Sequence, residues 1–456
     1  MIGRIFWIEV RRSAARWAAL VSLPLMLFAS SDLGRGSGVL AAGHRQALVL
    51  FVPLALGVGA WQARRDRRSA MEELLTTTPR PVWHRRLVTA GALASAAIAG
   101  AWLVYALLTG YIGLTGAFVS PSGARLFGVS MLYLVAAVLT GLAVGRLVPW
   151  ALTPPLLTLG GFVLMILPDA LLPVDSAANP LPGRWLLIPT EVGGVGRFET
   201  LTAAVLSAQA IWAAGLVTAA LVLAVASRYV RLAAVLPLAA SVAVAVPLLP
   251  AQARDAVILD SSATRRVCTD DAPVVCVTAV SRPALAELRE PARRALRILR
   301  ERLPQAPASV SEAVFDARAG RYLTPDQDNV LYAEVPTLAR NGRVAVPEDD
   351  LVFGLLVGAG TRPCPFASAL PAHERARYDT ARVVAALWLL GETPQSVPRD
   401  PTWWWWLPSE AAVAAAHARL LALPVDDQMS RVAELREAEL VCGPGDRLEA
   451  LVGDGV

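Results

Sequence analysis

Long apolar runs dominate the first 250 residues and constrain the fold of this chain more than any other feature. Seven runs occur, at about 17–33, 47–60, 87–113, 126–145, 150–167, 201–225 and 232–249. A bilayer-spanning helix needs roughly 20 apolar residues, so the first two runs are short and do not define their own ends. The first also resembles a signal-peptide core, but a retained anchor is favoured because further spans follow. We therefore predict an all-α polytopic membrane bundle of six or seven transmembrane helices over residues 1–250.

Arginine placement predicts the orientation of that bundle. With a cytosolic N-terminus, fourteen arginines of the short loops fall inside, and only five fall outside: Arg35, Arg45, Arg125, Arg184 and Arg197. Basic residues are enriched in cytoplasmic loops of membrane proteins. An odd number of spans would then send residues 251–456 to the exterior, which predicts a plasma-membrane protein with an extracytoplasmic C-terminal domain.

A polar island, residues 62–86, separates the second and third apolar runs. It opens with Arg64 and Arg65, and Ser69 followed by Glu72 has the spacing of a helix capping box. Pro79 prevents a helix from continuing past about residue 77. A short helix near 69–78 is therefore predicted on the cytosolic face.

The predicted helix has one apolar edge. Met71, Leu74 and Leu75 share a face, and Glu72 and Glu73 lie in the first turn, where the helix dipole favours negative charge. A helix of roughly two turns is unstable alone in water. It must lie against anionic lipid, held by its arginines, or against another protein.

The apolar runs carry few ionisable groups, with Asp169 and Arg146 at predicted helix ends, which disfavours an ion-coupled transporter. They are rich in small residues instead. Gly141 and Gly145 form a G-x-x-x-G pair, a spacing used for close helix contacts within one bundle or across a dimer. The proline-rich segment 168–200, with an apolar patch at 185–188, is predicted as an interfacial element or a loop.

All 42 basic residues are arginine, so a P-loop lysine and a Schiff-base lysine are both excluded. The excess arginine flanks the apolar runs and no basic, aromatic-interleaved surface occurs elsewhere, which argues against nucleic-acid binding. His373-Glu374 begins like a zinc-protease motif, but Arg377 replaces the second histidine ligand. No nucleotide, metal or nucleophile site is recognised, so we predict neither a cofactor nor an enzyme.

Residues 251–456 have the pattern of a soluble, mainly helical α+β domain. Strands are predicted at 274–278 and 330–335, and helices at 282–303 (interrupted at Pro291), 374–390, 408–423 and 426–440. All four cysteines lie here, which fits an oxidising compartment. Three pairings are possible; we favour Cys268 with Cys276 and Cys364 with Cys442, and the alternative is four buried thiols.

Four consecutive tryptophans follow Pro401. Trp403, Trp404, Trp405 and Trp406 cannot all face one core in a helix or a strand. Three explanations remain open: core packing of two rings, docking on the outer leaflet, or capture of an apolar or sugar ligand.

The first 250 residues resemble the permease subunits of ABC type-2 exporters, especially those of actinobacteria. The resemblance rests on an amphipathic N-terminus, two spans, and an arginine-rich loop that carries E-E-L-L and T-P-R-P-x-W-x-R. In that family this loop is the coupling helix that rests on a separate ATP-binding subunit. The family core has six spans with both ends cytosolic, so a seventh span and an exterior domain depart from it.

The resemblance implies an export permease that works as a homodimer or with a second permease, in contact with membrane lipid and a separate ABC ATPase. Since neither a nucleotide site nor buried carboxylates are recognised, energy would have to come from that ATPase. A membrane-anchored binding or sensing protein without transport activity is the alternative, and a degenerate peptidase-like enzyme is a third hypothesis.

Overall fold

The computed structural model describes residues 37–68, 82–114, 116–171, 186, 188–191, 197–226, 229–316, 318–319, 321–323, 330–333, 344, 346–398, 408–443 and 445–452. The chain divides into two compact units. Unit 1 contains Met1–Thr115 and Val119–Asp260, and unit 2 contains Gly116–Phe118 and Ser261–Val456. The division falls beyond the last apolar run because a strand that follows this run pairs back into unit 1.

The described residues of unit 1 form apolar helices and one small antiparallel sheet. The helices are α1 Ser37–Gln46, α2 Leu48–Arg68, α3 Val82–Leu114, α4 Pro121–Leu147, α5 Thr153–Leu171, α6 Ala203–Val225 and α7 Val235–Ala245. Short 3₁₀ segments at Val230–Ala234 and Val246–Leu248 extend α7 at both ends. Strands β1 Glu199–Leu201 and β2 Val257–Leu259 form the sheet.

Four helical segments of the described chain are long and apolar enough to cross a membrane: Arg86–Leu114, Pro121–Leu147, Ala203–Val225 and Val230–Leu248. The bent pair formed by α1 and α2 makes a fifth if the pair counts as one span. The apolar run at 150–167 forms the shorter helix α5, and the first run lies outside the described residues. The described residues therefore contain four or five membrane-type helices, and the predicted number of six or seven is not confirmed.

Helix α4 is the centre of unit 1. It begins at Ser120, whose hydroxyl caps the helix by accepting from the Gly123 N–H, and Pro121 occupies the first helical position. Glycine lets α4 touch α2 backbone to backbone: a Cβ on Gly141 would lie 2.0 Å from the Leu56 carbonyl oxygen. Gly145 approaches Ala60 in the same way, so this glycine pair is used for packing within the chain.

The two ends of unit 1 differ in composition. At one end, which we call the arginine end, α2 finishes and α3 begins; here Arg64 Nη1 donates to the Ala151 carbonyl at 3.1 Å and Arg146 Nη1 to that of Ala224 at 3.3 Å. Residues 62–68 of the polar island thus form the end of α2.

At the opposite end of α4, the strand end, β1 pairs with β2. Ser120 and Ser122 donate to the Asp260 carboxylate at 2.8 and 2.5 Å, and the Asp260 N–H donates to the Phe198 carbonyl at 2.8 Å. Asp260 is the last residue of unit 1. The chain therefore leaves unit 1 at the end of α4 that is remote from the arginines.

Unit 2 combines a small mixed sheet with helices. Strands β3 Arg266–Cys268, β4 Val275–Thr278, β5 Ser309–Glu312 and β8 Val330–Ala333 form one sheet in that order. The β3–β4 pair is antiparallel, and the other two pairs are parallel. Strands β6 Phe315–Asp316 and β7 Arg321–Tyr322 form a separate hairpin. The helices are α8 Leu285–Arg302, α9 Glu348–Gly360, α10 Ala372–Leu390, α11 Glu410–Leu421, α12 Val425–Val441 and α13 Arg447–Val452.

The predicted elements of unit 2 are present, with one correction in α8. Pro291 was expected to interrupt this helix, but the helix continues from Leu285 to Arg302 through it. Leu288, Leu296 and Leu299 lie on both sides of the proline and are buried in one core with α9 and α10. Burial of this continuous apolar face outweighs the hydrogen bond that proline removes.

Candidate functional site

The second apolar run begins with a broken helix. α1 and α2 meet at Ala47 with a bend of 56° between their axes. Broken helices inside membrane proteins commonly mark binding sites, because irregular backbone at membrane depth is tolerated only where it is enclosed by protein or lines a cavity. His44 and Arg45 lie in the last turn of α1, directly before the break.

Arg45 is buried among the helices of unit 1. Its relative exposure is 2%, and Nη2 donates to the side-chain oxygen of Gln209 in α6 at 2.8 Å. Tyr133 of α4 is close enough to interact with its charge, and the Tyr133 hydroxyl donates to the Leu186 carbonyl at 2.8 Å. The Nε and Nη1 atoms of Arg45 are buried without a hydrogen-bond partner among the described residues.

His44 lies next to Arg45 and is also enclosed, with 4% exposure. Both of its ring nitrogens are buried without a described partner. Its ring packs against aromatic rings, with centroid distances of 4.7 Å to Phe127 and 5.6 Å to Phe51. The imidazole therefore has hydrogen-bonding capacity that the described residues do not use.

His44, Arg45, Tyr133 and Gln209 constitute what we call the buried polar cluster. Its chemistry is that of an anion receptor, since a guanidinium offers a planar fork of donors that matches carboxylate and phosphate oxygens. Gln209 supplies only a neutral amide oxygen to Arg45. A buried cation held by a neutral group is costly, which is why such charges are normally paired.

The cluster corrects one sequence-based assignment. Arg45 was counted among the exterior loop arginines, but it lies in helix α1 and is buried. The sequence contains one signal for this placement, because the apolar run at 47–60 is too short for a bilayer and needs α1 to complete it. The pairing with Gln209 lies 164 positions away in sequence, and no local pattern predicts it.

The predicted coupling helix and the four tryptophans lie outside the described residues. Of the coupling-helix residues, Arg64 and Arg65 belong to the end of α2, whereas Ser69, Met71, Glu72, Glu73, Leu74 and Leu75 are not described. Trp403, Trp404, Trp405 and Trp406 are likewise outside the described part of the chain.

Unit 2 contains two disulfides, joining Cys268 to Cys276 and Cys364 to Cys442. These are the pairs that the sequence favours. The first joins residues that face each other across the β3–β4 pair. The second joins the segment after α9 to the end of α12. Two structural disulfides are compatible with an oxidising compartment.

Unit 2 also contains buried charges, which we call the buried ion network. Glu439 of α12 is fully buried and accepts from Arg382, from Arg447 Nε at 2.8 Å and from the Tyr378 hydroxyl at 2.6 Å. Burial is the main reason that the pKa of Tyr378 rises, to about 12; Arg382 opposes this rise and Glu439 adds to it. Arg382 Nη2 donates further to the Thr361 carbonyl at 2.7 Å. Every member of the network has a partner of suitable charge or polarity.

A cavity of about 320 Å³ lies beside the sheet of unit 2. Arg266, Thr278, Ser311 and Glu312 contribute polar groups to its lining. The buried Glu312 carboxylate accepts from the Thr278 N–H at 2.7 Å and from the Ser281 hydroxyl at 2.6 Å. This cavity can accommodate a small polar ligand at the carboxyl ends of β4 and β5.

The region around His373 does not form a metal site among the described residues. Arg377, at the position where a zinc protease has its second histidine, donates from Nε to Asp446 at 2.7 Å. No group of three or more His, Cys, Asp or Glu side chains in the described part of the chain could hold a metal ion.

No protein-family model matches this sequence, and neither a curated protein nor a solved structure is significantly similar to it.

Proposed function

We propose that this chain is the membrane-spanning permease subunit of an ATP-driven exporter, and that a separate ATPase binds the cytosolic loop around residues 69–78. The observation that carries the proposal is the polarity of unit 1. The arginine-rich loop connects two helix ends at one end of α4, and the chain departs for unit 2 at the other end.

This polarity suits a transporter that is driven by an ATPase on one side of a membrane and has an additional domain on the other side. Arginine-rich segments favour the cytosolic side, so the strand end would face the exterior. The disulfides of unit 2 support an extracytoplasmic position for this unit, because disulfides persist in oxidising compartments.

The buried polar cluster supports transport rather than simple anchoring. A membrane anchor has no need of a broken helix with a buried cation, whereas transporters place such features at their substrate sites. Motion of the loop at 69–78 would be transmitted by α2, whose first residue follows the break and whose close contact with α4 spans Leu56 to Ala60. The proposed assembly contains two permease subunits and lies in the cytoplasmic membrane.

Copurification tests this proposal. The full-length chain, expressed with the ATPase candidates of its own genome, should retain one of them, and Leu74→Arg should abolish retention because it charges the apolar edge. Thr76→Arg is the matched control, since it adds the same charge on the opposite face of the predicted helix. If ATP turnover by the purified assembly is unaffected by substitutions throughout residues 64–75, the coupling proposal is wrong.

A binding or sensing function is the second candidate, favoured by the cavity beside Glu312 in unit 2. It requires a ligand on unit 2 and no ATPase. Full-length protein that copurifies without any ATPase, and whose unfolding temperature responds to a small polar solute only when Arg266 and Glu312 are intact, would favour it over transport.

A further inference from the structure

Among the described residues of unit 1, the guanidinium of Arg45 has no anionic partner. The described residues give it one hydrogen bond, to a neutral amide, and leave Nε and Nη1 without a partner. A charge that is 98% enclosed is expected to be paired. An anion fits such a charge, because one of its oxygens can accept from Nη1 while the other accepts from the second N–H of Nη2.

The depth of Arg45 indicates where that anion comes from. Its partner Gln209 lies six residues into α6, and Phe127, which contacts the adjacent His44, lies six residues into α4. Both are therefore about 9 Å from the strand end at 1.5 Å per residue. The 27 residues of α4 rise about 40 Å, roughly 10 Å more than the hydrocarbon thickness. Arg45 therefore lies close to the level at which the anionic headgroups of membrane amphiphiles meet the hydrocarbon.

An aromatic path joins this level to the outer surface of unit 1. The ring centroid of Phe127 lies 4.7 Å from that of His44, 4.1 Å from that of Tyr105 and 5.1 Å from that of Trp102. Trp102 is 39% exposed on α3. Aromatic surfaces of this kind suit apolar chains, and the polar edges of tyrosine and tryptophan suit the region near the headgroups.

Helix α3 leaves the entrance to this path uncovered. Only 17% of its most apolar stretch is buried inside the unit, and Leu103 and Leu107 beside Trp102 are more than 60% exposed. A molecule already dissolved in the bilayer can reach Trp102 sideways without crossing water. Phe127 and Tyr105 are buried, so an amphiphile that starts at Trp102 must displace these two rings to place its apolar part along them and its headgroup beside Arg45.

We propose that the buried polar cluster binds an anionic membrane amphiphile, with its phosphate or carboxylate group on Arg45 and its apolar part along Phe127, Tyr105 and Trp102. The interpretation of this molecule as exported cargo rests on the proposed function. Binding itself does not, because it needs no ATPase.

The test uses the purified full-length chain, without an ATPase, in phosphatidylcholine nanodiscs. Short-chain phosphatidylglycerol is titrated while thermal unfolding is followed, since a ligand that binds the native state raises the unfolding midpoint by mass action. We expect a saturable rise for the natural protein and for Arg125→Gln, which removes an exposed charge near the start of α4. Arg45→Gln should weaken the apparent affinity at least about 30-fold, the lower bound for losing one partner of a buried charge pair.

Two further measurements separate the possible ligands and guard against misfolding. Trp102→Leu should weaken phosphatidylglycerol binding about 2- to 10-fold, the range for one aromatic contact, with no effect on inorganic phosphate. Native mass spectrometry of the natural protein, which needs no variant, should show retained phosphatidylglycerol in preference to phosphatidylcholine. If phosphate alone matches phosphatidylglycerol and Trp102→Leu changes nothing, the ligand is a small free anion and the amphiphile proposal is overturned. Equal binding to Arg45→Gln, or no preference in mass spectrometry, also overturns it.

Discussion

Buried arginines are stabilised in opposite ways in the two units of this chain. In unit 2, Arg382 and Arg447 converge on the carboxylate of Glu439, and Arg382 also donates to backbone carbonyls. In unit 1, Arg45 is as deeply buried, but among the described residues its one hydrogen-bond partner is the amide oxygen of Gln209. The first arrangement is electrostatically complete, whereas the second has no counter-charge among the described residues, which is why we propose an external anion for it.

This difference separates a structural charge cluster from a binding site. A complete network stabilises one packing arrangement and has little capacity left for a ligand. An incomplete one is a source of instability that a ligand of opposite charge removes, so it couples binding to conformation. Burial alone does not distinguish the two cases, and the partners of each charge do.

The largest effect is expected from removing the shared carboxylate of unit 2, which tests whether its buried arginines depend on that charge. Glu439→Gln should lower the free energy of unfolding of unit 2 by about 3–5 kcal/mol, because it leaves the guanidinium groups of Arg382 and Arg447 buried without a counter-charge. Denaturant unfolding of the full-length chain, followed by tryptophan fluorescence, measures this change.

Asp446→Asn is the control for this experiment. It removes the charge of the carboxylate between α12 and α13 and weakens the partly exposed pair with Arg377, while the asparagine oxygen can still accept from the Leu448 and Glu449 N–H groups. Its effect should therefore stay below about 1 kcal/mol. If both substitutions destabilise unit 2 equally, the buried ion network is not the dominant electrostatic contribution.

The next prediction concerns the sign of the effect in unit 1. In anion-free detergent, Arg45→Met should leave the free energy of unfolding unchanged or raise it by up to about 1–4 kcal/mol. The reason is that methionine replaces an uncompensated buried charge with an apolar side chain. Arg125→Met, at an exposed position, should change little. A large loss of stability in Arg45→Met would show that Arg45 is compensated and would remove the reason for expecting an anion.

Sequence and structure agree where the determinant is local and differ where it is distant. The Cys268–Cys276 pair, eight positions apart, the strand at β4 and the helices α10 to α12 followed from spacing and periodicity. Pro291 failed as a helix breaker because the buried residues on both sides of it outweigh its local preference.

Arg45 shows most clearly what a sequence does not reveal. A loop arginine and a buried arginine look alike in sequence when a short helix precedes the apolar run. Its burial depends on contacts with Tyr133 and Gln209, far away in the chain. Likewise, Gly141 and Gly145 fitted packing within a bundle or across a dimer, and only the contacts with Leu56 and Ala60 assign them to the chain's own interior.

The smallest expected effect tests whether charge compensation in unit 2 extends beyond the buried ion network, to two carboxylates whose pKa values move in opposite directions. For Asp446, partial burial works against ionisation, but the hydrogen bond from Arg377 and those from the N–H groups of Glu449 and Leu448 prevail and lower the pKa. For Asp379, burial prevails over the ion pair with Arg375 and raises the pKa.

These shifts give opposite pH dependences of stability. Because the folded pKa of Asp446 lies below its usual value of 3.8, its contribution is fully present above about pH 4 and is lost as the pH falls through the folded pKa. The folded pKa of Asp379 lies above that value, so its contribution is present in acid and is lost as the pH rises through the folded pKa. Asp446→Asn should therefore make unit 2 less sensitive to acid, whereas Asp379→Asn should make it more sensitive, when unfolding is followed from pH 6 down to pH 3. Identical pH profiles for the two variants would mean that neither carboxylate has the environment described above, and the contrast between a complete unit 2 and an incomplete unit 1 would then rest on Glu439 alone.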